Sequence, residues 1–388
     1  MPPLQEIERL AAEMTAWRRD IHAHPELGFE ERRTADFVAR QLESWGIETH
    51  RGIGRTGVVG VLRAGTSARS IGLRADMDAL PIEEANAFAH RSRHAGRMHA
   101  CGHDGHTAML LGAARYLAAT RHFDGTVVFI FQPAEEGLGG AQAMIADGLF
   151  RRFPCEAIFG MHNRPGLPVG TFAVRAGPMM AGGAFFDIDV EGVGAHAARP
   201  EAGVDPVLAA SHVVTALQSI VARNVAPVDT AVVSVTRIQG GNAYNVIPQS
   251  VRLSGTVRAF SDEVMRAIGD RLGRLAEGVA AGFGARAKTD FRVIFPPLAN
   301  NPREADFAAD VCAEIAGAER VRRDPPLIMA SEDFAWMLRE VPGCYFNIGN
   351  GEGEGACEVH NPAYDFNDAA LPYGASVLAR LVERRLAP

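Results

Sequence analysis

The chain has 388 residues, 47% hydrophobic and 22% charged, with a formal net charge of −7. That balance is typical of a globular protein and excludes disorder, collagen-like repeats and small disulfide scaffolds. The length predicts two domains, and the acidic balance argues against nucleic acid or an anionic membrane as the partner.

Lys288 is the only lysine, so any Schiff-base or P-loop chemistry would have to use it. Leu4, Ile7, Leu10, Ala11, Met14 and Trp17 recur at helical spacing with Glu6, Glu8, Arg9 and Glu13 between them. This predicts an amphipathic helix, without the apolar core of a signal peptide. No stretch has the ~18–20 apolar residues of a membrane span. Apolar runs at 70–74, 126–131, 156–161 and 345–348 predict buried strands. A helix over 107–119 intervenes, and the alternation predicts an α/β sheet covered on both faces.

The middle of the chain reads differently. Residues 184–191 alternate like a strand, and Asp205-Pro206 opens a helix with a cap and an N1 proline. Strand-like 230–239 and 251–260 follow, then a helix from Ser261 to about residue 280, then strand-like 288–295. The order β-α-β-β-α-β is ferredoxin-like. It predicts an inserted domain at 182–294, with residues 1–181 and 295–388 forming the α/β domain. Cys101, Cys155, Cys312, Cys344 and Cys357 are odd in number and widely spread. That fits free thiols in a reducing cytoplasm.

Some motif matches fail on their context. Gly52-Ile-Gly-Arg-Thr-Gly57 matches G-x-G-x-x-G, but a strand-like run follows it where a dinucleotide site needs a helix. The run from Gly282 to Thr289 nearly matches a P-loop, but Ala287 replaces the glycine before Lys288.

A surviving constellation lies just after the predicted strands, where open α/β sheets bind ligands. It comprises Asp76 and Asp78, Glu135 and Glu136, His162, and His360, with Cys101 and His103 on a glycine-containing loop before the helix at 107. Singly, each has an ordinary structural reading: turn aspartates, helix-facing glutamates, hydrogen-bonded histidines. Together, imidazole, thiolate and carboxylate suit zinc, and manganese with less comfort from the sulfur. Of two adjacent glutamates in extended backbone, one side chain holds a metal while the other faces substrate as a base.

At these residues the sequence resembles the aminoacylase and carboxypeptidase-G-like metallopeptidases, in the branch of hippurate and indoleacetyl-amino-acid hydrolases. The motifs are Arg74-Ala-Asp-Met-Asp-Ala-Leu-Pro81, Met98-His-Ala-Cys-Gly-His-Asp104, Phe131-Gln-Pro-Ala-Glu-Glu-Gly137, Gly160-Met-His-Asn163, Gly192-Val-Gly-Ala-His196, Asn245-Val-Ile-Pro248, Ser331-Glu-Asp-Phe334 and His360-Asn-Pro362. The resemblance implies a mixed-sheet α/β metallopeptidase domain with a ferredoxin-like lid. It implies two divalent metal ions, zinc or manganese, with cobalt or nickel as substitutes. Cys101 would bridge them; His103 and His162 would complete one site, Glu136 and His360 the other. Glu135 would be the general base, and Asp78 would orient a ligand or the water. Other branches place an aspartate at the bridge and a histidine two positions before Asp78; here stand Cys101 and Asp76. His196 and Asn245 would contact substrate, and Arg258 would take its carboxylate. The implied reaction is hydrolysis of an N-acyl or N-aroyl amino acid, with a homodimer through the inserted domain. A dipeptidase and a non-catalytic metal-binding protein are the alternatives.

Overall fold

The computed structural model describes residues 3–352 and 357–388, and the chain forms two compact units. The first comprises residues up to Gly177, Ala299–Pro326 and Asp333–Pro388. The second comprises Pro178–Leu298 and Leu327–Glu332.

The first unit is α/β, built on an eight-stranded mixed sheet. Its strands run in the order Glu48–Ile53, Gly57–Ala64, Gly125–Gln132, Ser70–Asp76, Ala157–Arg164, Gly343–Gly349, Phe172–Ala173, Val321–Arg322. Ser70–Asp76 is parallel to Gly125–Gln132 and Ala157–Arg164, which is parallel to Gly343–Gly349. These four strands are buried along nearly their whole length, as expected for strands covered on both faces. Being parallel, they bring Asp76, Gln132 and Arg164 to the same edge of the sheet. The glycine motif at 52–57 turns between two antiparallel strands, Glu48–Ile53 and Gly57–Ala64, with no helix to receive a dinucleotide.

Two sequence expectations need correction here. The amphipathic run near the N-terminus forms two helices, Gln5–Glu8 and Ala11–Ala23. The chain tightens between them, where Leu10 N donates to Ile7 O at 2.9 Å. The central helix starts at His103, not near Thr107, and runs to Thr120. Gly102 caps it at φ +91°, and a Cβ there would lie 2.2 Å from Asn163 Oδ1. A glycine is therefore required both by the left-handed backbone and by the close approach. Cys101 and His103 are consequently buried, where an open loop before the helix would leave them in solvent.

A buried charged cluster ties the central helix to Ala11–Ala23. His22 Nδ1 lies 2.9 Å from Asp104 Oδ2, and its Nε2 lies 3.1 Å from Glu84 Oε1. Arg18 reaches Asp365 and Asp368 at 2.7 Å. Burial disfavours charge on His22, but the two carboxylate hydrogen bonds outweigh it and push its pKa up to about 9. A histidine raised above its unfolded value stabilises the fold fully below about pH 6.5, and that contribution is lost as pH rises through 9. Denaturant unfolding of wild type and His22→Gln is therefore expected to differ by on the order of 2 kcal/mol at pH 6. The gap should narrow steadily toward pH 9.5; a constant gap would show that His22 is neutral in the fold.

The second unit has its own four-stranded antiparallel sheet, in the order Ala231–Gln239, Ser250–Ala259, Gly182–Glu191, Arg286–Phe295. Helices Pro206–Asn224 and Asp262–Gly282 pack on it around Phe186, Ile188, Leu217, Leu253 and Leu272. Asp205 caps the first helix by accepting from Val207 N and Leu208 N, a contribution of about 1 kcal/mol. The strand–helix order is the ferredoxin-like β-α-β-β-α-β. The expected limits of 182–294 omit Leu327–Glu332. That short segment joins the unit by backbone pairing, with Ile328 N donating to Met179 O at 3.0 Å and Ile328 O accepting from Ala181 N at 2.9 Å. A six-residue stretch without periodicity gives no sequence sign of such pairing.

Candidate metal centre

The carboxyl edge of the large sheet gathers the predicted ligands. Cys101 and His103 come from the start of the central helix, Glu136 from the turn after Gly125–Gln132, and His162 from Ala157–Arg164. His360 is set by its backbone: its φ is +66°, and its N–H donates to Ala100 O at 2.7 Å, beside Cys101.

Side-chain donor atoms of Cys101, His103 and His162 lie within 4.8 Å of one another, and so do those of Cys101, Glu136 and His360. The same thiol belongs to both triads. Cys101 Sγ is 3.4 Å from His162 Nε2, and His360 Nε2 is 3.3 Å from Glu136 Oε1.

The surroundings fix which nitrogen of each histidine is free. His162 Nδ1–H donates to Asn163 O at 2.7 Å, so Nε2 carries the lone pair that faces Cys101. His103 Nδ1 is 3.2 Å from Asp78 Oδ1, leaving Nε2 buried with no hydrogen-bond partner. Asp78 Oδ2 also accepts from Glu136 N at 3.0 Å. One carboxylate thus orients a histidine and the glutamate turn, the usual role of a group supporting metal ligands.

The donor set fits a cation. Burial, then Glu136, Glu135 and Asp76, push the Cys101 thiol well above its ordinary range. Burial opposes charge on His103, yet Asp76 and Asp78 outweigh it and push its pKa up to about 10. Burial, and then His106, hold His162 well below its ordinary value. Without an ion these directions keep protons on His103 and Cys101 among the carboxylates of Asp76, Asp78, Glu135 and Glu136 and leave His162 neutral. A divalent ion would take the place of those protons, as metal binding to thiol and imidazole ligands requires.

Asp76 is engaged elsewhere. Its Oδ2 accepts from Arg74 Nη1 at 2.7 Å, and its Oδ1 is 2.6 Å from His106 Nδ1. His106 Nε2 is in turn 2.8 Å from Asn163 Oδ1. Asp76, His103 and His106 also cluster within 4.8 Å, but these hydrogen bonds commit both Asp76 oxygens and both His106 nitrogens.

Glu135 and Glu136 do not lie in extended backbone as the sequence reading had them. They form a tight turn in which Gly137 N donates to Glu135 O at 2.6 Å. An oxygen of each falls within 4.8 Å of a His103 nitrogen. Glu135 is buried, and its Oε1 accepts from Asp333 N at 3.3 Å.

The remaining candidates are in the second unit. His196 and Asn245 adjoin on a two-stranded ribbon, where His196 pairs with Val246 and Ala197 N donates to Asn245 O at 3.0 Å. Ala198 N donates to His196 Nδ1 at 3.1 Å, which places the proton of the neutral ring on Nε2. Arg258 is half-buried and donates to Thr256 Oγ1 at 2.6 Å and Val257 O at 3.0 Å. It has no carboxylate partner among the described residues, and burial lowers its pKa.

Sequence reasoning gave no role to the buried Arg74, which donates to Gln132 Oε1 at 2.8 Å and to Asp333 Oδ1 at 3.2 Å. The signal was present: an arginine within a continuous apolar strand must find buried acceptors.

The sequence profile of the family described as "Peptidase family M20/M25/M40" matches residues 72–384. The hippurate hydrolase of Campylobacter jejuni is 42% identical over 383 residues, covering 99% of both chains. An N-acetylcysteine deacetylase of Bacillus subtilis is 40% identical over 94% of each chain. The solved YXEP protein of Bacillus subtilis, described as a dinuclear metal-binding peptidase of family M20, superposes with a TM-score of 0.86. It is 36% identical, over 98% of this chain and 99% of that one. With its profile match across most of its length and full-length relatives at about 40% identity, the chain belongs to peptidase family M20/M25/M40.

Proposed function

We propose that the protein is a metal-dependent amidohydrolase that cleaves N-acyl or N-aroyl amino acids to a carboxylic acid and a free amino acid. The observation that carries this reading is one thiol, Cys101, shared by two ligand triads, with the carboxylate of Glu135 beside them. Cys101 would be shared by both ions, with His103 and His162 completing one site and Glu136 and His360 the other. Thiolate, imidazole and carboxylate together favour zinc or manganese. When bound, the ions polarise the amide carbonyl and ease ionisation of the attacking water.

The protein's own groups do the rest. Glu135 accepts the proton of the water and delivers it to the leaving amine nitrogen. Asp78 keeps His103 in the tautomer with Nε2 free. His196 donates from Nε2–H to the oxyanion. Arg258 takes the substrate carboxylate, and Asn245 binds near the scissile bond. Leu138 supports an apolar acyl group. It is two residues from Glu136 and 59% exposed, the only large hydrophobic so exposed in the first unit among the described residues.

Two further readings accompany this one. The edge strand Ala231–Gln239, with Val232 and Ile238 exposed, would pair with a second copy to form a homodimer. The five unpaired cysteines fit a cytoplasmic location, and no helix among the described residues is long and apolar enough to cross a membrane.

Purified protein loaded with zinc or manganese should be assayed against N-benzoyl, N-acetyl and indoleacetyl amino acids and against dipeptides with a free amino terminus. The acylated substrates are expected to have kcat/KM at least tenfold higher. Preference for the dipeptides would reassign the protein as a peptidase.

A further inference from the structure

Ala134 immediately precedes the glutamate pair and has φ +51°. A non-glycine residue keeps this conformation only where its surroundings enforce it. Both of its backbone polar groups are tied: Ala134 O accepts from Gly140 N at 3.0 Å, and Ala134 N donates to Glu31 Oε1 at 2.8 Å.

Glu31 is unusually placed for this. It occupies the N-cap position of helix Arg32–Ser44, yet its side chain makes no capping bond. Glu26 does that work instead, accepting from Arg33 N and Thr34 N at 2.9 Å. The Glu31 carboxylate is fully buried, and its second oxygen accepts from Thr56 Oγ1 at 2.5 Å. No cationic group is paired with it among the described residues, and burial pushes its pKa up to about 7. A buried carboxyl without a counter-ion is costly to keep, so a purely local role does not account for it.

The same segment touches both carboxylate-bearing turns. Glu26 O accepts from Ala79 N, next to Asp78, at 2.8 Å. Gly28 lies directly against Ala134: a Cβ there would be 3.0 Å from Ala134 Cβ and 3.1 Å from its Cα.

We propose that Glu31 is a positioning residue for hydrolysis, holding Ala134 left-handed so that the turn presents Glu135 and Glu136 to the metal pocket together. This rests on Glu135 being the base. Glu31 touches no reacting atom and acts through one backbone N–H.

The test uses the full-length protein loaded with metal. Glu31→Ala is expected to lower kcat about tenfold to a hundredfold, the scale of a misplaced catalytic group. KM should change less than threefold, and both ions should be retained. Glu31→Gln, which still accepts from Ala134 N, should recover kcat to within about threefold of wild type. In an Ala134→Gly background, where the left-handed turn carries no Cβ cost, the loss on Glu31→Ala should shrink at least threefold. In metal-stripped protein, hydrogen exchange at the Ala134 amide should accelerate at least tenfold in Glu31→Ala. If Glu31→Ala does not fold, Gly28→Ala, which crowds Ala134, should give the same kcat-selective loss. The proposal is overturned if Glu31→Ala, or Gly28→Ala in its place, keeps kcat within twofold while Glu135→Gln is inactive. If Glu135→Gln itself keeps kcat, the functional reading fails, and the Ala134 exchange rate alone judges the Glu31 contact.

Discussion

Glu135→Gln is expected to lower kcat for N-acyl amino acid hydrolysis by about 10²–10⁴, the usual scale for general acid–base catalysis. The substitution keeps the size of the side chain and an oxygen able to accept from Asp333 N. It removes only the ability to take a proton from water. Metal content should therefore stay at wild-type level, and KM should change little. Glu136→Gln should behave differently, because Glu136 belongs to a triad with Cys101 and His360. There the expected loss is in metal affinity, recoverable in part at high metal concentration. Elemental analysis beside steady-state kinetics separates the two. Metal loss in Glu135→Gln with metal retention in Glu136→Gln would reverse the two assignments.

Cys101→Ser is expected to abolish activity at ordinary metal concentrations and to weaken both ions at once. A serine hydroxyl has a far higher pKa than a thiol and stays protonated where a thiolate would bind. The sulfur is common to both triads, so its loss removes a ligand from each. His360→Ala, by contrast, touches one triad and should release one ion first. Calorimetric metal titration of the two variants distinguishes a bridge from a terminal ligand. A Cys101→Ser protein that lost one ion and held the other normally would show that Cys101 is terminal.

These residues were legible in the sequence because their chemistry sits at predictable places. Parallel strands buried on both faces read as short apolar runs, and open α/β sheets bind ligands where such strands end. Asp76, Asp78, Glu135, Glu136 and His162 follow from that rule alone. The second unit was readable for a similar reason: its strands alternate, and its helices open on Asp205 and Ser261. The positions that escaped depend on contacts between distant parts of the chain. Glu31 lies 103 residues before Ala134, and no periodicity in either segment marks their meeting. The burial of Cys101 and His103 depends on Gly102 fitting against Asn163. Local composition there, with two glycines among polar residues, reads as a loop. The turn at Glu135–Glu136 was missed because a left-handed alanine has no sequence signature; only its neighbours enforce it.

The most direct measurement is a metal titration of chelator-stripped protein with hippurate hydrolysis followed at each addition. Zinc or manganese should restore activity from near zero, with the plateau reached at two ions per chain. Elemental analysis of the active form should give the same stoichiometry. Full activity in the stripped protein, or a plateau at one ion with the second site never filled, would contradict a hydrolytic centre built on two metals around Cys101.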